Sequence, residues 1–395
     1  MQIDLVHGDG RTGGDMYVSV PLAGLAVLFV LSSPAQADGQ SELAQCKFVG
    51  EIGNADLNIA ACDRALKDPK ISGPNRAVAL SDRCGWRWAQ KDPDRALSDC
   101  DEAIKIDPNL AAAHINRGNV YLNKADVDRA FDDFNAAIRL DPKSAWAYSA
   151  RGDIYKNKGD FDHAMADFNE SIRLDPNYAM AYFFRGDLYK RKGDYDHAVT
   201  DLNDSIRLDP NYAMTYFIRA NVSYIMGNGP AALADFTTSI RLDPDNAATH
   251  FNRGVAYFVA GAHVADAEAD FRKAAELNPK DAYAALWQYL AQHRDNAPDH
   301  LTEAAKQLDM TAWPAPVVHQ FLGELTSAQT VAAADDNDPK TKLGQTCEAN
   351  FYGGEFALAK KKKQEALPLL RLAARDCPRS FIESTAAIAE LIVQR

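Results

Sequence analysis

Arginine recurs every 34 residues as Arg83, Arg117, Arg151, Arg185, Arg219 and Arg253, and each is followed by an aspartate: Asp99, Asp133, Asp167, Asp201, Asp235 and Asp270. A row of guanidinium groups either grips anions through forked N–H pairs or pairs with the protein's own carboxylates. The matching aspartates favour the second use, an internal ion-pair ladder, because a repeated pair of opposite charges is satisfied within the fold. Six cysteines form a second set. Cys46 and Cys62 share one spacing with Cys84 and Cys100, while Cys347 and Cys377 stand further apart. None of these spacings suits zinc, which leaves disulfides in an oxidising compartment, with buried free thiols as the alternative. The histidines are scattered: His163 and His197 occupy one equivalent place, and His114 and His250 take another that Tyr148, Tyr182 and Tyr216 fill elsewhere. No histidine has a metal-spaced partner, so no catalytic residue, cofactor or metal site is expected.

The elements that position these residues follow from the prolines. Pro108, Pro142, Pro176, Pro210, Pro244 and Pro279 are 34 residues apart except for the last interval of 35, and each closes a segment of one design. Within one segment, Tyr182, Gly186 and Tyr189 lie on one helical face, while Ala198, Leu202, Ser205 and Ile206 form a second. Each repeat is therefore two antiparallel amphipathic helices, joined where Gly193 permits a left-handed turn and Asp194 caps the next helix. Counting from Ala145, Ala179 or Ala247 as position 1, Gly152, Gly186 and Gly254 at position 8 are expected to face Ala164, Ala198 and Ala267 at position 20. Arginine at position 7 and aspartate at 23 then sit on facing helices. Cys84 and Cys100 take positions 8 and 24 of the repeat starting at Ala77, and Cys46 and Cys62 match them in a degenerate first repeat carrying Gly53 and Ala65. Cys347 and Cys377 fall at the start of a first helix and the end of its partner, which are neighbours in a hairpin. Three disulfides result, clipping both ends of an array that would otherwise fray.

The period and the signature positions resemble the tetratricopeptide repeat, TPR. The resemblance implies an all-α fold, a right-handed α-α superhelix whose first helices line a concave groove through positions 2, 5, 9, 12 and 13. In this chain those positions place Trp146, Asp153, Lys156 and Asn157 beside Met180, Phe183, Asp187, Lys190 and Arg191. Further along come Met214, Phe217, Asn221 and Tyr224, then Phe251, Val255 and Phe258. The aromatics at position 5 form a stripe that reads equally as packing or as a recognition wall for an extended or helical protein segment. A TPR clamp for a chaperone's terminal carboxylate is not implied, because Ile115 stands where that clamp needs lysine.

The chain has 395 residues and a net charge of -12, which gives nucleic acid no basic footprint. Its longest basic run, Lys360 to Lys363, reads as a solvated turn. The apolar stretch VSVPLAGLAVLFVL followed by Ala35-Gln36-Ala37 has the form of an export signal, although the basic residues that normally precede one are missing and Met16 is an alternative start. Cleavage after Ala37 gives a periplasmic chain with no integral membrane span. The expected organisation is signal peptide 1–37, degenerate first repeat 38–76, TPR array 77–281, degenerate helical region and acidic linker 282–346, and last repeat with capping helix 347–395. In the decayed region AYAALWQYLAQHR reads as a helix, HLTEAAKQLD as its partner, and VVHQFLGELTSAQTVAAADD as a shorter pair. This order of features, with Leu-Trp-x-Tyr-Leu and Trp-Pro after the array, resembles the NlpI-related TPR proteins of the bacterial envelope. That resemblance implies an adaptor bringing proteases or cell-wall hydrolases to their partners, and a homodimer in some members; the lipid-anchoring cysteine of that group is absent. The function expected is a non-catalytic protein-binding scaffold of the envelope. An enzyme with its site in 282–346 and a purely structural, self-assembling protein are the alternatives.

Overall fold

The computed structural model describes residues 39–47, 54–261, 263–378 and 381–394. The expected export signal and Gly53 lie outside the described residues. Among those described, every regular element is a helix. The chain begins with α1 (Gly39–Cys46), α2 (Ala55–Lys67), α3 (Gly73–Ala89) and α4 (Pro93–Ile106). The regular repeats are α5 (Ala111–Asn123), α6 (Val127–Leu140), α7 (Ala145–Asn157), α8 (Phe161–Leu174), α9 (Ala179–Lys192) and α10 (Tyr195–Leu208). They continue as α11 (Ala213–Ile225), α12 (Gly229–Leu242), α13 (Ala247–Ala260) and α14 (Val264–Leu277). Beyond them come α15 (Ala282–Arg294), α16 (Leu301–Ala304), α17 (Ala315–Phe321), α18 (Ser327–Ala333), α19 (Pro339–Ala359), α20 (Lys363–Asp376) and α21 (Ile382–Val393). The fold is all-α, a stack of antiparallel helix pairs. Two compact units divide the described residues: one runs to Leu188 and includes Arg207–Asp209, the other holds Tyr189–Ile206 and everything from Pro210.

In the first unit α1 packs on α2, α3 on α4, α5 on α6 and α7 on α8, and each pair leans on the next. The turns between partners follow the sequence. Gly159 has φ +79° and Asp160 accepts a hydrogen bond from the His163 amide at 3.3 Å, so one residue ends a helix and the next starts its partner. The side chains nearest the position-8 glycines are those at position 24. A Cβ on Gly118 would lie 2.6 Å from the Phe134 ring, and one on Gly152 would lie 2.7 Å from Phe168. The helices cross where a large side chain of the second helix lies flat on bare backbone of the first. The same place is taken by a disulfide in the repeat that carries Cys84 and Cys100, with Cα atoms 5.5 Å apart. Cys46–Cys62 in the first pair and Cys347–Cys377 in the second unit are also bonded, as the spacing predicts.

The second unit pairs α11 with α12, α13 with α14 and α19 with α20. Its centre is Trp287 on α15, packed on Phe258, Phe271 and Phe351 at ring distances of 5.2, 5.7 and 5.6 Å. The region where the repeat decays is thus the middle of one continuous apolar core reaching from Phe251 to Ala387. Three local expectations change. The segment HLTEAAKQLD makes only the four-residue α16 and a 3-10 turn, Ala305–Gln307, with Leu301 and Leu308 as its buried anchors. The acidic stretch is a linker only as far as Asp338, which caps α19, its side chain accepting from the Thr341 amide at 2.9 Å. Cys347 accordingly sits inside α19 and not at its start, so the division at 346/347 falls within a helix.

Candidate functional site

The arginine ladder is the repeating polar structure of the fold. Arg83, Arg117, Arg151, Arg219 and Arg253 each make a forked pair with the aspartate of the facing helix, at 2.6–2.8 Å throughout. Burial works against the Asp133 carboxylate, but hydrogen bonds from Arg117 and His114 outweigh it and hold its pKa below the ordinary value. A further contact went unread in the sequence. The remaining Nη1 reaches back 16 residues from Arg117, Arg151, Arg185, Arg219 and Arg253, to Asp101, Asn135, Asn169, Asn203 and Thr237, and 20 residues from Arg83, to Asp63. Each arginine therefore joins its own pair to the preceding repeat. Its donors are used within the fold, which removes the anion-binding reading. His114 and His250 are structural too, each lying between an aspartate and a proline carbonyl.

The expected groove residues fall on first helices in both units. In the first unit Lys156 Nζ lies 2.9 Å from both Asp153 and Asp187, enclosed and 5.1 Å from the centroid of the Phe184 ring. This triad locks α7 to α9, and Asn157 donates to Asp153 from an exposed position. Trp146 is half-buried, edge-on to Phe134 at 5.5 Å, and its Nε1 has no partner among the described residues. Met180 is buried. In the second unit Lys190 is buried, Arg191 and Met214 are half-buried, and Asn221 accepts from Asn252 at 3.0 Å. Tyr224 is half-buried, with its hydroxyl enclosed, and burial pushes its phenol pKa up.

The aromatic stripe is interior. Phe183, Phe217, Phe251 and Phe258 expose 3, 8, 5 and 1% of their surface, and Val255 exposes 2%. Phe251 packs on Phe271 at 5.6 Å, and Phe258 is covered by Trp287 and by the Arg294 guanidinium, 3.7 Å from its ring centroid. These side chains hold helices together and offer no open wall. For Phe251 and Phe258 the cover comes from α15, a helix outside the regular array, which the repeat pattern could not announce. Six of the expected groove residues keep accessible surface: Trp146, Asp153, Asn157, Arg191, Met214 and Tyr224.

Sequence reasoning missed a set of enclosed carboxylates in the second unit. Arg294 donates to Glu355 at 3.2 Å and also binds Glu390, joining α15, α19 and α21. Burial pushes Glu355 up to about 7, against the pull of Arg294 and helped by the charge of Glu390. Glu348 accepts from Tyr283 at 2.9 Å and from the Trp313 indole at 2.6 Å, and Glu383 accepts from Tyr352. A signal was available: Glu383 and Glu390 are seven residues apart, hence on one face of α21. Among the described residues no group of three His, Cys, Asp or Glu side chains is placed to hold a metal, and no helix is long and apolar enough to cross a membrane.

A family model described as TPR repeat matches residues 152–193, and models described as tetratricopeptide repeat match 111–144, 179–212 and 220–282. Among solved structures, the chain is similar to the APC/C hetero-tetramer Cut9-Hcn1, with a TM-score of 0.56 at 15% identity over 65% of this chain and 49% of that one. It spans about half the length of that relative, and the likeness is one of fold. A tetratricopeptide repeat protein from Parabacteroides merdae matches at 20% identity and a TM-score of 0.46, over 61% of this chain and 93% of its own. YrrB, a TPR protein with an unusual peptide-binding site, matches at 22% and 0.38, over 50% and 97%.

Proposed function

From the premise that the chain is a tetratricopeptide-repeat protein, a scaffold for protein-protein contact, we propose that it is a non-catalytic adaptor of the bacterial envelope, holding a segment of a partner protein against its first helices. The observation that carries this reading is a contrast between repeats. The arginine-aspartate clamp is the same from one repeat to the next, whereas position 13 of the first helix, nowhere buried, runs Asn123, Asn157, Arg191, Ile225 and Val259. Positions the fold does not hold constant are free to carry specificity. Contact falls on the side chains left accessible, Asn157 and Trp146 in the first unit and Arg191 and Met214 in the second, and not on the buried phenylalanines. Three disulfides support an oxidising, extracytoplasmic setting, and Ala35-Gln36-Ala37 supports export to the periplasm. The features shared with NlpI-related proteins support a recruiting role. The rival enzyme site in 282–346 is disfavoured because Trp287, Tyr289, Val317 and Phe321 of that region are core side chains.

Photocrosslinking tests the groove without truncating anything buried. A photoreactive residue replaces Asn157, Arg191 or Met214 in one series, and the exposed second-helix residues His163 or His197 in another. Protein adducts from envelope cells are expected in the first series. Adducts confined to the second would place binding on the outer face and sink the proposal.

A further inference from the structure

Helix α21 carries apolar side chains on both faces, with Ile382, Ala386 and Ala387 in the core. Its two acids point inward, with Glu383 fully enclosed and Glu390 only 5% exposed, while Ile388, Ile392 and Val393 expose 49, 61 and 72% of their surface. Its buried face packs on α13, α19 and α20. The outer face of an amphipathic helix normally carries polar residues, so an apolar outer stripe marks a contact surface. The charge beside it says which kind. Lys363 Nζ donates to the Gln394 carbonyl at 2.6 Å, which sets the exposed Lys360–Lys363 turn at the carboxy-terminal end of α21. In a chain of net charge -12, this is the longest basic run.

The array itself supplies a template for what fits there. Its second helices pack antiparallel on their partners with an acid in the first turn, Asp128 in α6, Asp162 in α8 and Asp196 in α10, followed by an apolar face. A helix laid antiparallel on α21 puts its first turn next to the lysines, where acids are also favoured by its own dipole. We propose that the outer face of α21 docks an amphipathic helix of a partner protein, acidic in its first turn and apolar at i, i+4 and i+7, which completes a helix pair with α21. The apolar residues cover Ile388 and Ile392, and the acids meet Lys360 and Lys361. This surface is independent of the first-helix face and gives an adaptor its second hold.

The probe is a synthetic helical peptide of about 15 residues with glutamates in its first turn and leucines at that spacing, titrated against the full chain. A matched peptide with lysines for the glutamates serves as control. Binding of the acidic peptide is expected to weaken about tenfold or more in Ile392→Asp. It should also weaken, with a smaller salt dependence, in the Lys360→Glu/Lys361→Glu double variant. Both changes are at exposed positions, so helical circular dichroism should be unchanged. Several results would overturn the proposal. One is no binding of the acidic peptide, or equal binding of the two peptides. Another is Ile392-dependent binding to phosphatidylglycerol vesicles in place of the peptide, which would make the face a membrane contact. A third is a dimer that Ile392→Asp converts to monomer in sedimentation, which would make it an interface between copies.

Discussion

At Arg294 one guanidinium faces two carboxylates, Glu355 and Glu390, both enclosed. They cannot both ionise there cheaply, and burial raises Glu355 from 4.5 to about 7. A carboxyl whose folded pKa is raised contributes stability that is fully present below its ordinary pKa and is lost as pH rises through the folded value. The window is therefore from about 4.5 to about 7. Glu355→Gln keeps the shape and removes the proton. The variant is expected to lack the part of the pH slope that the parent shows in that window, and to be the more stable of the two above it by on the order of 1–3 kcal/mol. Paired melting curves across the range check this. Parallel slopes for parent and variant would assign the pH response to other groups.

Helix-to-helix turns show how an element's local chemistry is set. Gly159, Gly193 and Gly227 hold φ near +78° as +79, +77 and +79°, but Lys91 and Ala125 stand at the equivalent place with φ of 61 and 57°. A side chain there costs about 1–2 kcal/mol, which glycine avoids at an entropic cost of about 0.4–1 kcal/mol. Ala125→Gly should therefore stabilise the first unit by about 0.5–1 kcal/mol, and Gly159→Ala should destabilise it by a similar amount, read as opposite shifts in urea midpoint. Shifts of the same sign would show that strain at this turn does not decide its stability. Much at this scale was legible beforehand: helix pairs, turns, ladder and all three cysteine pairings follow from one period. What a period cannot convey is which residues a non-repeating neighbour covers. Phe251 and Phe258 look like groove residues until Trp287 closes over them, and Glu383 looks like a surface residue until Tyr352 meets it. For the position-8 glycines the period could not show that the Phe134 and Phe168 rings would lie nearest them.

Over the whole molecule, covalent bonds stand at the two ends of the array and ion pairs between. Cys46–Cys62 and Cys84–Cys100 each close a separation of 16 residues, and Cys347–Cys377 one of 30. In the chain-entropy account the two shorter loops contribute about 3 kcal/mol each and the longer one somewhat more. Peptide mapping without reductant should recover these three pairs, and reduction should lower the melting temperature of the terminal repeats before that of the middle ones. Free thiols throughout the native protein would refute the pairing. Between the clips, the backward reach of each arginine has a consequence for inheritance. The atom it finds 16 residues upstream is carried by Asp101, Asn135, Asn169 or Asn203, depending on the repeat, and each serves as an acceptor. Excise or duplicate any 34-residue stretch of the regular array, and the next arginine meets an equivalent oxygen across the new splice. Repeat number is then a quantity that recombination can change without breaking a joint, and the length of the surface offered to partners becomes adjustable in whole steps.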